Sequence, residues 1–156
     1  MVQHVTIVPK PLNPGEPEAH PHTVVIWRDD QTIKWGLAAN YSWPNPPTGE
    51  DIVPIMFLPA DPARGYLDWP GSAPVPIGAR PAPGTPDTRF YTASSDKILP
   101  PGAPPEKYHY AFAVCPRDTP NCMLEIHPML EAPRSQQRLG EDGLWYDPDV
   151  ENQSQP

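Results

Sequence analysis

Proline restricts this chain more than any other residue. It fills 27 of 156 positions, against a usual share of about 5 %. Each proline fixes φ at about −65° and removes a backbone donor, at a cost of about 3 kcal/mol inside a helix. The longest proline-free stretch is 22–43. A helical bundle, a coiled coil and a doubly wound α/β fold are excluded on this ground. No run of apolar residues is long enough for a membrane-spanning helix, so no membrane partner is expected.

Pro-rich chains can stay disordered, but five Trp, six Tyr and three Phe sit here among segments of alternating polarity. A small β core held in long, stiff loops fits both facts. The length suits one domain, read as a β-sandwich over 1–140 followed by a polar C-terminal tail over 141–156. The formal net charge is −8 and the 11 Lys and Arg are scattered. Nucleic acid is therefore excluded as a partner, because its phosphates call for a basic footprint. Met1-Val2-Gln3-His4-Val5 carries no basic n-region and apolar h-region. The expectation is a cytoplasmic protein or a processed secreted form.

Period-two patterning locates the strands. Val2–Val8 is β-branched. In His22–Arg28, Val24 and Ile26 share a face, and in Gln31–Leu37 so do Ile33, Trp35 and Leu37. With Asp29-Asp30 between them, these two segments predict a hairpin. Asp51–Leu58, Gly65–Trp69 and Thr88–Ser94 read as further short strands. Lys107–Cys115 is the strongest: Tyr108, Tyr110, Phe112 and Val114 line one face, and His109, Ala111, Ala113 and Cys115 line a smaller face expected to meet a partner. Cys122, Leu124 and Ile126 alternate again, and Ser135–Leu139 suits one helical turn. Pro9–Pro21 and Ala73–Gly84 read as loops. Roughly seven to eight short strands with turn signals between them predict an all-β sandwich or barrel.

The order of these features resembles the cupredoxins. A hairpin ending in Thr32-Ile33-Lys34-Trp35, a long variable middle, Pro101-Gly102 and the strand Tyr108-x-Tyr110-x-Phe112-x-Val114-Cys115 follow that layout over residues 2–133. The resemblance implies a Greek-key β-sandwich. It also implies copper held by two His, a thiolate and a weak axial ligand. The stretch where the family supplies its first His, 36–43, has none, and no His follows Cys115 within a few residues. The chain thus looks like a cupredoxin-like domain without the usual copper ligands, similar to domains of no assigned function.

Other constellations remain. Cys122, His127 and Met129, with His109 from afar, offer a displaced copper set, against the plainer reading of a structural Cys and a surface His. His20-Pro21-His22 is a His-x-His pair able to hold Cu or Zn on one strand face, though such pairs in loops are commonly just solvated. Cys115 and Cys122 either close a small disulfide loop or remain separate thiols. Trp43, Trp69, Tyr41 and Tyr66 stand in Pro-rich surroundings, where aromatics bind protein segments or sugars, or else cap the sandwich ends. No nucleophile, phosphate-binding or zinc-protease motif is present. Ser94-Ser95-Asp96, Asp29-Asp30 and Glu141-Asp142 look like solvated turns, so no catalytic residue and no enzyme activity are expected.

The expectation from sequence is a non-enzymatic binding or structural module without a cofactor. It would recognise a protein partner, or self-associate, through Trp43, Trp69, Tyr41 and Tyr66. The alternatives are a copper-binding or electron-transfer protein and a carbohydrate-binding module. Twelve of the 27 prolines fall between Tyr41 and Asp87, where a cupredoxin would present its first copper His, so a stiff contact surface is expected there.

Overall fold

The computed structural model describes residues 2–28, 30–44, 54–79, 81–82, 85–117 and 148–154. Within them the chain is all-β. The one helical element is a single 3₁₀ turn, Pro62–Arg64, as the proline content requires.

Strands β1 (Val2–Lys10), β2 (Asn13–His20), β4 (Thr32–Leu37), β7 (Val75–Ile77) and β8 (Phe90–Ser94) form a five-stranded sheet in the order β2-β1-β4-β8-β7. Strands β3 (Thr23–Trp27), β6 (Ile55–Phe57), β9 (Glu106–Phe112) and β11 (Asp149–Gln153) form a four-stranded sheet in the order β3-β11-β9-β6. The short strands β5 (Tyr41–Ser42) and β10 (Cys115–Pro116) pair with each other. Both larger sheets are mixed: β1 runs parallel to β4, and β3 parallel to β11.

Alternation places one core between the sheets. Val5, Ile7, Ile33, Trp35, Tyr91 and Ala93 come from the five-stranded sheet. Val24, Ile26, Ile55, Tyr108, Tyr110, Phe112 and Val150 come from the other, and all are buried in a single cluster. Trp35 meets Tyr110 edge to face at 5.4 Å between ring centroids, a geometry that adds to area burial. Neither sheet closes on itself, and the arrangement is that of a β-sandwich.

Several local expectations are corrected. First, the predicted hairpin does not form, because β3 and β4 belong to different sheets. The link between them carries a bridge between Trp27 and Asp30. Alternation was read correctly in both strands, but each turns its apolar face to the shared core from opposite sides. Second, Pro9–Pro21 is not a loop. It holds β2, paired with β1 through Thr6↔His20, Ile7↔Ala19 and Val8↔Glu18. Third, the small face of β9 is covered, with His109 and Ala111 as buried as Tyr110. Fourth, Asp149–Gln153 does not belong to a tail. It is an interior strand between β3 and β9, with Val150 and Asn152 fully buried and the Asn152 amide donating to the Lys97 carbonyl at 2.9 Å. Gly65–Trp69 also forms no strand, and Ala73–Gly84 contains β7. The expected strand at Cys122–Ile126 and the turn at Ser135–Leu139 lie outside the described residues.

Register explains how prolines fit into the five-stranded sheet. The Ser95 amide donates to Gln31, so in β8 the residues Tyr91 and Ala93 bond toward β4, and Phe90 and Thr92 toward β7. Val75 and Ile77, opposite Thr92 and Phe90, take up those bonds. Pro76 is left with its donorless nitrogen on the open edge. At the other edge, the Ala38 amide donates to Ile7, so Thr6 and Val8 bond to β2. The Pro17 nitrogen then lies on the side of β2 away from β1, as does the Ala19 amide, although both residues are buried. Both outer strands carry a proline where a donor is not needed, which is where sheets tolerate it.

Candidate partner-binding groove

The chain after β6 builds an open concavity. The Asp61 and Tyr66 backbones bond to each other at 2.9 and 3.0 Å around the 3₁₀ turn. Gly65 closes that turn at φ 82°, a left-handed conformation that suits glycine. Tyr66 then lies across the four-stranded sheet. Its ring stacks on His109 at 4.3 Å and 3°, and its hydroxyl donates to Asp149 Oδ2 at 3.1 Å. Asp149 also accepts from the Thr23 hydroxyl, so one polar rung ties β3 and β11 to this loop.

Leu67 donates to Lys107 at 2.8 Å, and the Ala60 amide donates to Asp68 Oδ1 at 2.8 Å. The next residue, Trp69, stacks face to face on Phe57 at 4.0 Å and 3°. It meets Tyr108 edge-on at 5.4 Å. Its indole N–H donates to the Ser72 carbonyl at 2.9 Å. Segment 70–72 crosses to the other sheet, where Ser72 donates to Ser94 at 3.1 Å and Asp96 donates to Pro70 at 2.7 Å. The aromatic pair is therefore anchored at the seam between both sheets.

The result is an open, mostly apolar groove of about 410 Å³. Ile55, Met56, Phe57, Leu58 and Pro59 form one side, and Asp68, Trp69, Gly71, Ala73 and Pro74 form the other. Phe57 and Trp69 are half-buried, and Asp68 and Ala73 are exposed. Just beyond Pro74, Val75 and Ile77 expose 48 % and 44 % of their surface. Gly71 has no alternative, since a Cβ there would lie 2.0 Å from the Ser94 carbonyl oxygen.

The four aromatics singled out from sequence divide. Trp69 lines the groove and Tyr66 braces its loop. Tyr41 and Trp43 are buried and unavailable as surface contacts, which corrects that expectation. Trp43 is held by a buried ion pair: its amide donates to Asp87 Oδ2 at 2.9 Å and its indole to the Arg89 carbonyl at 3.0 Å. The Arg89 guanidinium binds both Asp87 oxygens, at 2.9 and 2.8 Å. Burial alone would raise the Asp87 carboxyl. Hydrogen bonds from Arg89 and from the Trp43 and Arg89 amides, with the Arg89 charge, outweigh it and hold the carboxyl below its usual range. Burial pushes the Tyr41 hydroxyl up.

The copper expectation finds no convergence among the described residues. His109 is buried with Nε2 3.0 Å from the Pro59 carbonyl. A carbonyl only accepts, so that nitrogen carries the proton in this contact. Cys115 is disulfide-bonded, so its sulfur is no thiolate. Cys122, His127 and Met129 lie outside the described residues. His20 and His22 are exposed, and no group of three or more His, Cys, Asp or Glu suited to a metal gathers among the described residues.

Sequence reasoning missed Phe57 as a site residue. The available signal was its place in a short apolar strand ahead of an aromatic residue flanked by proline, Trp69-Pro70.

No family model, curated protein or solved structure matches this chain.

Proposed function

We propose that the protein is a non-enzymatic binding module that recognises a protein partner through the groove between β6 and segment 68–74. The observation that carries this reading is the Phe57–Trp69 stack, partly exposed in a concavity whose two sides are fixed to different sheets. Preformed aromatic surface loses little conformational entropy on binding, and buried Trp contacts dominate many interfaces. Strand pairing between copies is disfavoured at both edges of the five-stranded sheet by the outward prolines. Within the same reading, a cupredoxin-like Greek key remains the finer fold proposal. The support for it is a β-sandwich whose aromatic strand β9, ending at Phe112, is followed three residues later by Cys115.

The test is selection from a random peptide display library. Clones that bind the wild-type protein and lose binding to Trp69→Ala support the reading. Clones indifferent to Trp69→Ala, or no enrichment at all, overturn it. Trp69 is partly buried and packs against the core cluster, so only Trp69→Ala protein with a native circular dichroism spectrum enters the assay. Ala73→Arg, at an exposed position of the groove wall, serves as a second blocking variant that must also abolish binding.

A further inference from the structure

The groove's own chemistry narrows what it takes. Its indole N–H is already given to Ser72, so Trp69 offers a ligand packing surface and no hydrogen bond. Pro59 and Pro74 in its walls have no amide N–H. Ile55 is fully buried, backbone included, so the outer edge of β6 gives no run of accessible groups for an added strand. An apolar groove in which the Trp69 indole and the Leu58 amide are already engaged and two wall residues are prolines suits a segment whose backbone needs no partner. Polyproline II backbone has no internal hydrogen bonds and keeps its carbonyls in water, and its rings pack on aromatic faces.

Charge supplies the second constraint. Asp68 is exposed at the rim. Its Oδ1 accepts from Ala60, and its Oδ2 has no partner among the described residues. The chain as a whole carries −8, which attracts basic partners and repels acidic ones.

Resting on the binding reading above, we propose that the groove binds an extended, polyproline-type segment of a partner protein that sets an arginine or lysine against Asp68. The proline rings pack against the part of the Phe57–Trp69 stack left open to the groove and against Ala73, with exposed Val75 and Ile77 lying in sequence just beyond Pro74.

The test titrates four blocked synthetic decapeptides while following tryptophan fluorescence and heat. One is built of Pro-Pro-Leu units with terminal arginines. The second has glutamates for the arginines, the third alanines for the prolines, and the fourth both changes. The expected result is binding of the first peptide, with clear loss in the other three. Asp68→Asn keeps the Oδ1 acceptor for Ala60 and removes the charge. It should weaken the arginine peptide roughly two- to fivefold, as an exposed pair does, and flatten its salt dependence. Trp69→Ala should cost about thirtyfold or more, as expected of a hot-spot residue. Equal binding of the arginine and glutamate peptides, or of the proline and alanine peptides, overturns the proposal. So does recovery from the display library of groove ligands that lack proline or a basic residue, an outcome that leaves the binding reading standing. A library with no groove ligand removes both. Oligosaccharides that quench Trp69 while all four peptides stay silent also overturn the proposal.

Discussion

At the scale of single residues, two tryptophans in similar sequence settings do different work. Trp43 and Trp69 both sit beside a proline, and adjacency alone cannot separate them. The partners separate them. The Trp43 backbone and indole are locked to Asp87 and Arg89 across 44 and 46 residues of chain, whereas the Trp69 indole bonds only to Ser72 nearby. Asp87→Asn leaves Arg89 facing a neutral amide in a site where the Asp87 side chain is fully buried and that of Arg89 is 15 % exposed. Breaking a buried pair from one side costs about 3–5 kcal/mol. The residual exposure of Arg89 lowers the expectation to about 2–4 kcal/mol, read as a fall in the urea midpoint. The pH dependence has a definite sign. Because the folded carboxyl titrates below its usual value, its contribution is fully present above the unfolded pKa of about 3.9 and drains as pH falls through the lower folded value. Urea midpoints of the wild type should therefore drop more steeply below about pH 4 than those of Asp87→Asn. Parallel curves would refute the assignment.

At the scale of elements, what the sequence conveyed was which side chains face inward. Alternation located β1, β3, β4, β8 and β9, because burial on one face imposes a period of two. Pairing was not legible. The same alternation suits a hairpin or two strands facing each other across a core, and β3 and β4 take the second course. Among the strands that escaped notice, β2 and β11 did so for opposite reasons. β2 looked like a loop because of its prolines, which an outer strand accommodates. β11 looked like a tail because only Val150 in Asp149–Gln153 is apolar, yet Asn152 beside it is buried through its bond to Lys97. The groove was half legible: Trp69 stood out as an aromatic among prolines, while Phe57 needed the fold to bring it there. Val150→Asp places an unpaired charge in the core and should leave the chain unfolded at room temperature by circular dichroism; a native spectrum would show that β11 is dispensable. The outer proline of β7 yields the opposite kind of variant. Pro76→Val restores an outward N–H between exposed Val75 and Ile77, creating the unprotected edge that sheets avoid. Light scattering over a concentration series should show self-association for Pro76→Val and not for the wild type. Equal behaviour would mean that the edge is blocked by something other than the proline.

At the scale of the whole molecule, the two larger sheets are joined through their shared core, through the seam at 70–72 and through the chain that leaves β9. Cys115 sits in that chain, buried and disulfide-bonded, in β10 beside β5. The Arg117 amide donates to Asn40 at 2.9 Å in the same place. No residue that lines the groove belongs to β5 or β10. Stability and recognition should therefore separate under reduction. A native disulfide typically contributes about 2–4 kcal/mol by restricting the unfolded chain. In a domain of this size each kcal/mol corresponds to about 2–4 °C. Reduction, or Cys115→Ala, should thus lower Tm by roughly 5–15 °C. Titration of the arginine–proline peptide well below that Tm should give the same affinity for reduced and oxidised protein, because the Phe57–Trp69 stack is held by bonds to Ser94, Asp96 and Lys107 that do not pass through Cys115. Calorimetry and peptide titration on one reduced sample decide the matter together. An unchanged Tm would remove the disulfide from the sources of stability, and an affinity that fell with Tm would show that the groove depends on the β5–β10 corner after all.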